Sequence, residues 1–333
     1  MDYFVNEQPP PIILIGGTGR SGTNITKTLL SRHPAVASLP FEHRFLIDPD
    51  GLVDFYRSFT AAWSPYLADR RIKRLEALLL TLAKQSVWSR WLGNIILKLN
   101  RDGRTLSPRW YHRWNLNASF PNFESHVQAL IAELRDFTFP AAWSGTESYT
   151  WHPRIYHAAP KSRQELAPIL GKFVNRVTRE YLTKTGKTFF VEDNTWNILF
   201  ARELLEILPQ AKILHVYRDP RDVVASCVHQ RWCPSNLEQA ASWYLDLMTY
   251  WFTVRTDLPP QSYYELKLED LVAQTETVVQ KICQFAELPY HPAMLKTDLS
   301  KSRNGRWRHD FSPEEQHRLQ NILGKIAIEL GYR

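Results

Sequence analysis

Short uncharged apolar runs alternate with longer amphipathic segments along most of this chain. Residues 12–15 are an unbroken run of isoleucine and leucine, which is typical of a strand buried on both faces of a sheet. Four further strands are predicted at about 35–39, 188–191, 212–217 and 263–266. Helices are predicted at about 22–32, 164–183, 195–208, 219–231, 236–256, 274–286 and 313–330. This alternation predicts an α/β fold, a three-layer α/β/α arrangement with a mostly parallel sheet of about five strands.

The segment from 48 to 186 follows a different pattern. Between about 70 and 100, apolar residues recur at helical spacing with basic residues among them, which predicts one or two amphipathic helices. Helices of this kind pack on their own domain more often than on a membrane surface. Residues 110–151 are irregular and rich in aromatic side chains, which could contact a substrate or form core. We predict one domain, 1–333, in which 48–186 is a helical and irregular, substrate-facing insertion.

The composition fits a single enzyme domain and limits its ligands. Of 333 residues, 44% are hydrophobic, which is ample for a large core. The formal net charge of +7 suits an anionic ligand, although solvated surface charge explains the same excess. Because the basic residues form no concentrated run, nucleic acid is not an expected partner. The three cysteines lack metal-ligand spacing, which favours reduced thiols and predicts no metal site.

The hydropathy of the chain also bears on its location. No span of 18 uncharged apolar residues occurs, and the first residues lack the basic and apolar regions of a signal peptide. We therefore expect no transmembrane segment and a cytoplasmic protein.

A glycine-rich loop follows the first predicted strand. Residues 16–22 read GGTGRSG and lead into a helix, an arrangement that turns backbone N–H groups and the positive end of the helix dipole toward an anion. Glycine permits positive φ and close approach of a ligand, hydroxyl and amide side chains at the helix start can donate to oxygens, and arginine adds a forked cation. The predicted ligand contacts are Gly19, Arg20, Ser21, Gly22, Thr23 and Asn24.

A second segment repeats the order of strand, charged turn and helix. In the stretch 211–230, Arg218 comes at the end of a predicted strand and Ser226 lies about two helical turns later. Both side chains could therefore reach one oxyanion at the edge of a parallel sheet. A P-loop kinase would share the first loop, but it requires a lysine directly after Gly22, and Lys27 comes a full turn too late.

Together the two segments resemble the 5′-phosphosulfate loop and the 3′-phosphate motif of sulfotransferases that use 3′-phosphoadenosine-5′-phosphosulfate (PAPS). The Arg-Ser-Gly-Thr form of the loop at 20–23 is similar to the bacterial and tyrosylprotein branch. The resemblance continues in FFVEDNTWN, which contains Glu192, in LKLEDL at 266–271 and in NGRWR at 304–308. It covers about 11–48 and 187–333 and leaves the middle of the chain without a matching motif.

The resemblance implies a role for each motif. Arg20 and the loop amides would hold the 5′-phosphosulfate, and Arg20 would stabilise charge on the leaving oxygen. Arg218 and Ser226 would hold the 3′-phosphate, and Arg221 would make surface or helix-end ion pairs. A C-terminal loop that closes over the 3′-phosphate would comprise Arg303, Gly305 and Arg306. The product would be adenosine 3′,5′-bisphosphate (PAP), and no Mg²⁺ is expected.

The general base has three candidates. Glu42 is the first, because the tyrosylprotein branch has Glu-x-Arg at this strand end, displaced by one residue from Glu42-His43-Arg44. A carboxylate beside an aromatic ring could have a raised pKa, which suits proton removal from an alcohol. His43 is the rival, since other branches use histidine. Glu192 is the third, because a related branch has a Glu-Lys pair there.

Two departures from the family pattern leave contacts to be explained. Asp193 stands where the related branch has the lysine of its Glu-Lys pair, and Leu268 stands where the family has a tyrosine against adenine. The resemblance implies sulfuryl transfer to a hydroxyl or amine. The basic, tryptophan-rich insertion favours a small-molecule metabolite as the acceptor. A P-loop nucleotide kinase and a non-catalytic nucleotide-binding module remain the alternatives. Acceptor identity and oligomeric state have no sequence signal.

Overall fold

The computed structural model of the protein describes residues 8–84, 111, 114–144, 152–300 and 304–332. Cα proximity divides the chain into two compact units. Unit 1 comprises residues 1–43 and 182–333, and unit 2 comprises residues 44–181.

The described strands and helices alternate in unit 1 as the hydrophobic pattern predicts. The strands are β1 Ile12–Gly17, β2 Val36–Ser38, β3 Phe137–Pro140, β4 Arg154–His157, β5 Phe189–Asp193, β6 Lys212–Tyr217 and β7 Tyr263–Lys267. The α-helices are α1 Thr23–Ser31, α2 Leu52–Ala61, α3 Pro65–Ala83, α4 Leu116–Ser119, α5 Phe123–Leu134, α6 Arg163–Thr185, α7 Ala201–Ile207, α8 Pro220–Cys227, α9 Leu237–Arg255, α10 Leu268–Ala273, α11 Thr275–Phe285, α12 Trp307–Asp310 and α13 Pro313–Glu329.

Unit 1 is built on a five-stranded sheet in the order β2-β5-β1-β6-β7. All four strand pairings are parallel, which confirms the predicted parallel sheet. The central strand β1 is buried along its whole length, as its uncharged sequence predicts. In a parallel sheet of this kind, ligands bind at the carboxyl ends of the strands, where the loops after β1, β5 and β6 meet.

Alternate residues of the strands face two helical layers. On one face, Ile13, Ile15 and Leu214 share a core with α1, α10 and α11. On the other face, the His215 ring lies 4.9 Å from the Trp251 ring of α9. Period-two alternation places successive side chains of a strand on opposite faces, so the sheet lies between two layers of helices. The predicted three-layer α/β/α fold is confirmed.

Unit 2 contains α2 to α5, most of α6 and the antiparallel hairpin of β3 and β4. The prediction that 110–151 is irregular was wrong in part, because α5 occupies Phe123–Leu134. Its buried residues, Phe123, Val127, Leu130, Ile131 and Leu134, recur at helical spacing, but the flanking prolines and aromatic residues obscured the period. Phe120 and Phe123 are fully buried, so these two aromatic side chains form core.

The boundaries of several other elements also differ from the sequence pattern. The predicted helix at 195–208 begins as a 3₁₀ turn, Thr195–Phe200, and becomes α-helical at Ala201. The amphipathic pattern from 70 to 100 is helical as far as Ala83, and its remainder lies outside the described residues. Within the described ranges, no helix combines the length and apolarity that crossing a bilayer requires.

Candidate functional site

The loop after β1 and the start of α1 form a concave backbone surface. Gly19, Arg20 and Gly22 have φ values of 74°, 56° and 109°, so the chain turns tightly through the left-handed region. Gly22 is the N-cap of α1, no side chain caps the helix, and its first turn carries no acidic residue. Ser21 is fully buried, and its Oγ has no hydrogen-bond partner among the described residues. Free N–H groups and a buried hydroxyl at a helix N-terminus fit an anionic oxygen ligand.

The loop is in direct contact with the helix that follows β6. Arg20 Nε donates a hydrogen bond of 2.9 Å to Ser226 Oγ on α8. The guanidinium of the first predicted anion-binding segment therefore lies beside the hydroxyl of the second. Since β1 and β6 are paired neighbours in the sheet, their carboxyl ends bring these two segments to one edge.

Arg218 directly follows β6 and pairs with a carboxylate of α8. Its side chain is 8% exposed and one guanidinium nitrogen lies 3.0 Å from Asp222 Oδ2. Asp222 also accepts hydrogen bonds from the backbone N–H of Gly305 (2.8 Å) and of Trp307 (3.1 Å). Asp222 therefore joins the β6–α8 turn to the C-terminal glycine turn, a role that its sequence context did not indicate.

The charged turn before α8 is held by a second set of contacts. Arg221 donates to both carboxylate oxygens of Asp219, at 2.9 and 2.7 Å, and its guanidinium lies 4.5 Å from the centre of the Trp307 ring. The sequence predicted a surface or helix-end ion pair for Arg221. The pair does lie at a helix end, because Asp219 is the N-cap of α8, but both side chains are buried. Glu269, of the LKLEDL motif, accepts from the backbone N–H of Asp219 at 3.0 Å.

The residues of the predicted C-terminal loop lie in different surroundings. Gly305 lies in the turn that Asp222 holds and has a positive φ of 75°. Arg306 donates to Asp310 Oδ2 at 2.6 Å within its own short helix, so its cation is turned to a local partner. Arg303 lies outside the described residues. Trp307 is 7% exposed and packs between arginines, which makes it a structural anchor.

A cluster of acidic and imidazole groups lies at the end of β5. Glu192 is 4% exposed and accepts a 2.6 Å hydrogen bond from Asn197 Nδ2 and another from the backbone N–H of His43. Burial, and then the nearby Asp193 and Glu42 carboxylates, raise the pKa of Glu192 to about 8. Glu192 is therefore largely protonated at neutral pH, next to the first candidate base, Glu42.

His43 belongs to the same cluster but is enclosed. It is 2% exposed, and its ring stacks on Phe190 at 5.1 Å between centroids. Burial, and then the Lys27 charge, lower its pKa to about 3, so the imidazole is neutral at physiological pH. A neutral, weakly basic and enclosed imidazole is less suited to proton removal than a neighbouring carboxylate.

Lys27 occupies a position that the sequence did not indicate. From α1, its Nζ donates to Asp193 Oδ1 at 2.6 Å, and the two side chains are only 13% and 9% exposed. The aspartate that replaces the family lysine is thus paired with a lysine from the neighbouring helix. Lys27 therefore supplies a cation at the end of β5, where the related branch has the lysine of its Glu-Lys pair.

Leu268, which stands where the resemblance implies a tyrosine, is a core residue. It is 3% exposed, and a Cβ added at Gly22 would lie 2.8 Å from its Cδ1. Leu268 therefore packs against the loop. The close approach of its side chain to the backbone of residue 22 requires glycine there.

Comparison with known proteins agrees with these motifs. The model of a family described as the sulfotransferase family matches residues 11–292, which is most of the chain. The chain belongs to the sulfotransferase family. This membership confirms the resemblance to the PAPS-dependent sulfotransferase superfamily, and the matched region includes β1, α8 and unit 2.

Curated relatives of the chain come from mycobacteria. The chain is 28% identical over 170 residues to a protein named omega-hydroxy-beta-dihydromenaquinone-9 sulfotransferase Stf3, in Mycobacterium bovis and in Mycobacterium tuberculosis. The alignment spans 47% of this chain and 42% of the relative. The match therefore covers less than half of the length of these relatives.

Solved sulfotransferase structures resemble the chain at low sequence identity. The sulfotransferase domain of the curacin biosynthetic pathway is 15% identical, with a TM-score of 0.49, over 98% of this chain and 99% of that chain. The sulfotransferase domain of the Synechococcus PCC 7002 olefin synthase is 16% identical, with a TM-score of 0.47, over 96% of each chain. A retinol dehydratase in complex with androsterone and inactive cofactor PAP is 14% identical, with a TM-score of 0.37, over 96% of this chain and 82% of that chain.

Proposed function

We propose that this protein transfers a sulfuryl group from PAPS to a hydroxyl group of a small-molecule acceptor. The observation that carries the proposal is the hydrogen bond of 2.9 Å between Arg20 and Ser226, which joins the two segments predicted to bind anions. A donor with a 5′-phosphosulfate and a 3′-phosphate would need both segments at once. Gly305, held by Asp222, adds the third predicted contact to the same region.

The residues fit PAPS by their chemistry. The loop amides, the buried Ser21 hydroxyl and Arg20 would hold the phosphosulfate, and Ser226 and Arg218 would hold the 3′-phosphate. The forked guanidinium of Arg218 matches a phosphate and would favour PAPS over a nucleotide without the 3′ group. PAPS would supply the sulfuryl group, and Arg20 would stabilise the negative charge that develops on the released phosphate oxygen.

Glu42 is the proposed general base. As the acceptor oxygen forms its bond to sulfur and the bond from sulfur to the phosphate oxygen breaks, the Glu42 carboxylate takes the hydroxyl proton. Glu192, with its pKa raised to about 8, stays largely protonated below that pH and adds little repulsion to a charge on Glu42. His43 is the weaker candidate because it is buried and its pKa is lowered to about 3.

The acceptor class is proposed from the name of a relative. The mycobacterial relative is named for a menaquinone derivative that carries a hydroxyl group. We therefore favour a hydroxyl-bearing small metabolite over an amine, a peptide or a nucleic acid.

Calorimetric titration of the full chain with PAP, ATP and ADP tests the nucleotide assignment. We expect PAP to bind much more tightly than ATP or ADP. Tight binding of ATP together with weak binding of PAP would contradict the proposal and favour a kinase. Binding of PAP with no consumption of PAPS across a panel of phenols and alcohols would favour a non-catalytic nucleotide-binding module.

A further inference from the structure

Three tryptophan side chains form a continuous row beside the loop that follows β1. The ring centroids of Trp232 and Trp243 lie 5.9 Å apart, and those of Trp243 and Trp196 lie 5.8 Å apart. Both contacts are edge-to-face, which leaves part of each indole face without an aromatic partner. We call these three residues the tryptophan row.

Trp232 brings the row into contact with the loop. A Cβ added at Gly19 would overlap the Cη2 atom of the Trp232 ring, so the glycine and the indole are fitted to each other. Gly19 has a φ of 74° and directly precedes Arg20. Despite this contact, the Trp232 side chain is 50% exposed. A half-exposed indole is an apolar surface available to a ligand, and this one lies beside the residue that precedes Arg20.

The other end of the row lies near the acidic cluster. Trp196 follows β5 and directly precedes Asn197, which donates to Glu192, whereas Trp232 and Trp243 follow β6. In the sheet, β5 and β6 lie on opposite sides of β1. The row therefore joins the β6 side of the loop, where Trp232 comes six residues after Ser226, to the β5 side, where Trp196 adjoins the residue that bonds Glu192.

From this placement we propose that the tryptophan row is the binding surface for the apolar part of the acceptor. The proposal rests on the proposed sulfuryl transfer. Indole faces favour flat rings and hydrocarbon chains, and the row itself presents no charged group to a ligand. The acceptor class is a hydroxyl compound with an aromatic ring or an extended hydrocarbon chain, held with its hydroxyl group near Arg20 and Glu42.

Hydroxyl probes of different shape test this surface in the full-length protein. We would use 2-naphthol as a flat probe, farnesol as a chain and glucose as a polar control, and measure binding in the presence of PAP and turnover with PAPS. We expect 2-naphthol and farnesol to bind and to be sulfated, and glucose neither to bind nor to be sulfated. A preference for glucose, or no binding of either apolar probe to a protein that binds PAP, would overturn the proposal.

Substitution of Trp232 locates the effect. We expect Trp232→Ala to raise the KM for 2-naphthol roughly three- to tenfold, the size of one lost aromatic contact, and to change kcat and the Kd for PAP little. Trp232→Phe should restore most of the loss. Tyr290→Ala, which removes another partly exposed ring that bonds Glu276 of α11, is the matched control and should change neither constant.

The outcomes separate this proposal from the proposed function. If Trp232→Ala weakens PAP binding and leaves the Michaelis constant for the naphthol unchanged, the row belongs to the nucleotide and the proposal is wrong. If Trp232→Ala changes neither constant, the proposal is also wrong, while the function stands. Failure of the unsubstituted protein to bind PAP would remove the proposed function itself.

Discussion

Arg20 and Ser226 are 206 positions apart in the chain, and Arg20 Nε donates to Ser226 Oγ at 2.9 Å. The contact joins the loop after β1 to α8 across two neighbouring strands. A ligand with a phosphate at each end would replace or share this hydrogen bond. The pair is therefore the most direct place to test the proposed nucleotide site.

We expect Arg20→Ala to weaken PAP binding by roughly ten- to a hundredfold, the loss of one or two charge-assisted hydrogen bonds. Ser226→Ala should cost less, since a neutral hydroxyl is lost. Calorimetric titration with PAP measures both. Arg202→Ala, which removes a guanidinium that bonds the Thr253 carbonyl on α9, is the control. Unchanged PAP affinity in Arg20→Ala would contradict the assignment of the loop.

Asp222 should control recognition of the 3′-phosphate through the groups it holds. Asp222→Ala removes the acceptor of the Gly305 and Trp307 amides and the partner of Arg218. We expect the preference for PAP over adenosine 5′-monophosphate to fall about tenfold, because the lost preorganisation bears on the 3′ end.

The control for Asp222 is Asp257→Ala, which breaks an ion pair with Arg202 and removes no contact of Gly305, Trp307 or Arg218. Competition titrations with the two nucleotides give the ratio of Kd values. If both ligands weaken equally in Asp222→Ala, Asp222 acts on general stability rather than on the 3′-phosphate.

Two carboxylates compete for the role of base, and neutral substitutions distinguish them. We expect Glu42→Gln to lower kcat by about 10²- to 10⁴-fold with little change in PAP affinity, because a positioned base is lost. Glu192→Gln imitates the protonated form that the raised pKa implies and should retain most activity. Steady-state kinetics with PAPS and 2-naphthol measure both. The reverse result would transfer the base role to Glu192.

The raised pKa of Glu192 also predicts how stability depends on pH. The folded protein holds this proton up to about pH 8, whereas the ordinary pKa of a glutamate, expected in the unfolded chain, is 4.5. Below pH 4.5 Glu192 is protonated in both the folded and the unfolded state. Between pH 4.5 and 8 it ionises in the unfolded chain but stays protonated in the folded protein, so its contribution to the free energy of unfolding falls as pH rises. We expect Glu192→Gln to remove this decline from thermal midpoints recorded between about pH 5 and 8. An equal decline in the variant would mean that other groups cause it.

Lys27 and Asp193 should stabilise the protein as a pair. Either single change, Lys27→Met or Asp193→Leu, leaves one charge at a poorly exposed position, which is costly. In a double-mutant cycle from chemical denaturation, we expect a coupling of about 1–3 kcal/mol. The charge-reversed variant, Lys27→Asp with Asp193→Lys, should recover part of that loss. Additive single effects would mean that the two side chains do not support each other.

The sequence by itself determined the elements whose signals are local. The uncharged run at Ile12–Gly17, the glycine turn and the start of α1 are contiguous, so strand, loop and helix follow from a few neighbouring residues. The same holds for β6, the charged turn and α8. Short-range sterics and hydrophobic periodicity govern such segments, which is why the sheet and its loops could be predicted.

Only the tertiary structure decided which distant side chains meet. The Arg20–Ser226 bond, the acceptance by Asp222 of the Gly305 amide and the pairing of Lys27 with Asp193 join residues 83 to 206 positions apart. The pKa of Glu192 likewise depends on burial among groups from separate segments. Hydrophobic periodicity indicates which face of a helix or strand is apolar. It does not indicate which element packs against that face, because strand order and helix packing depend on the whole core.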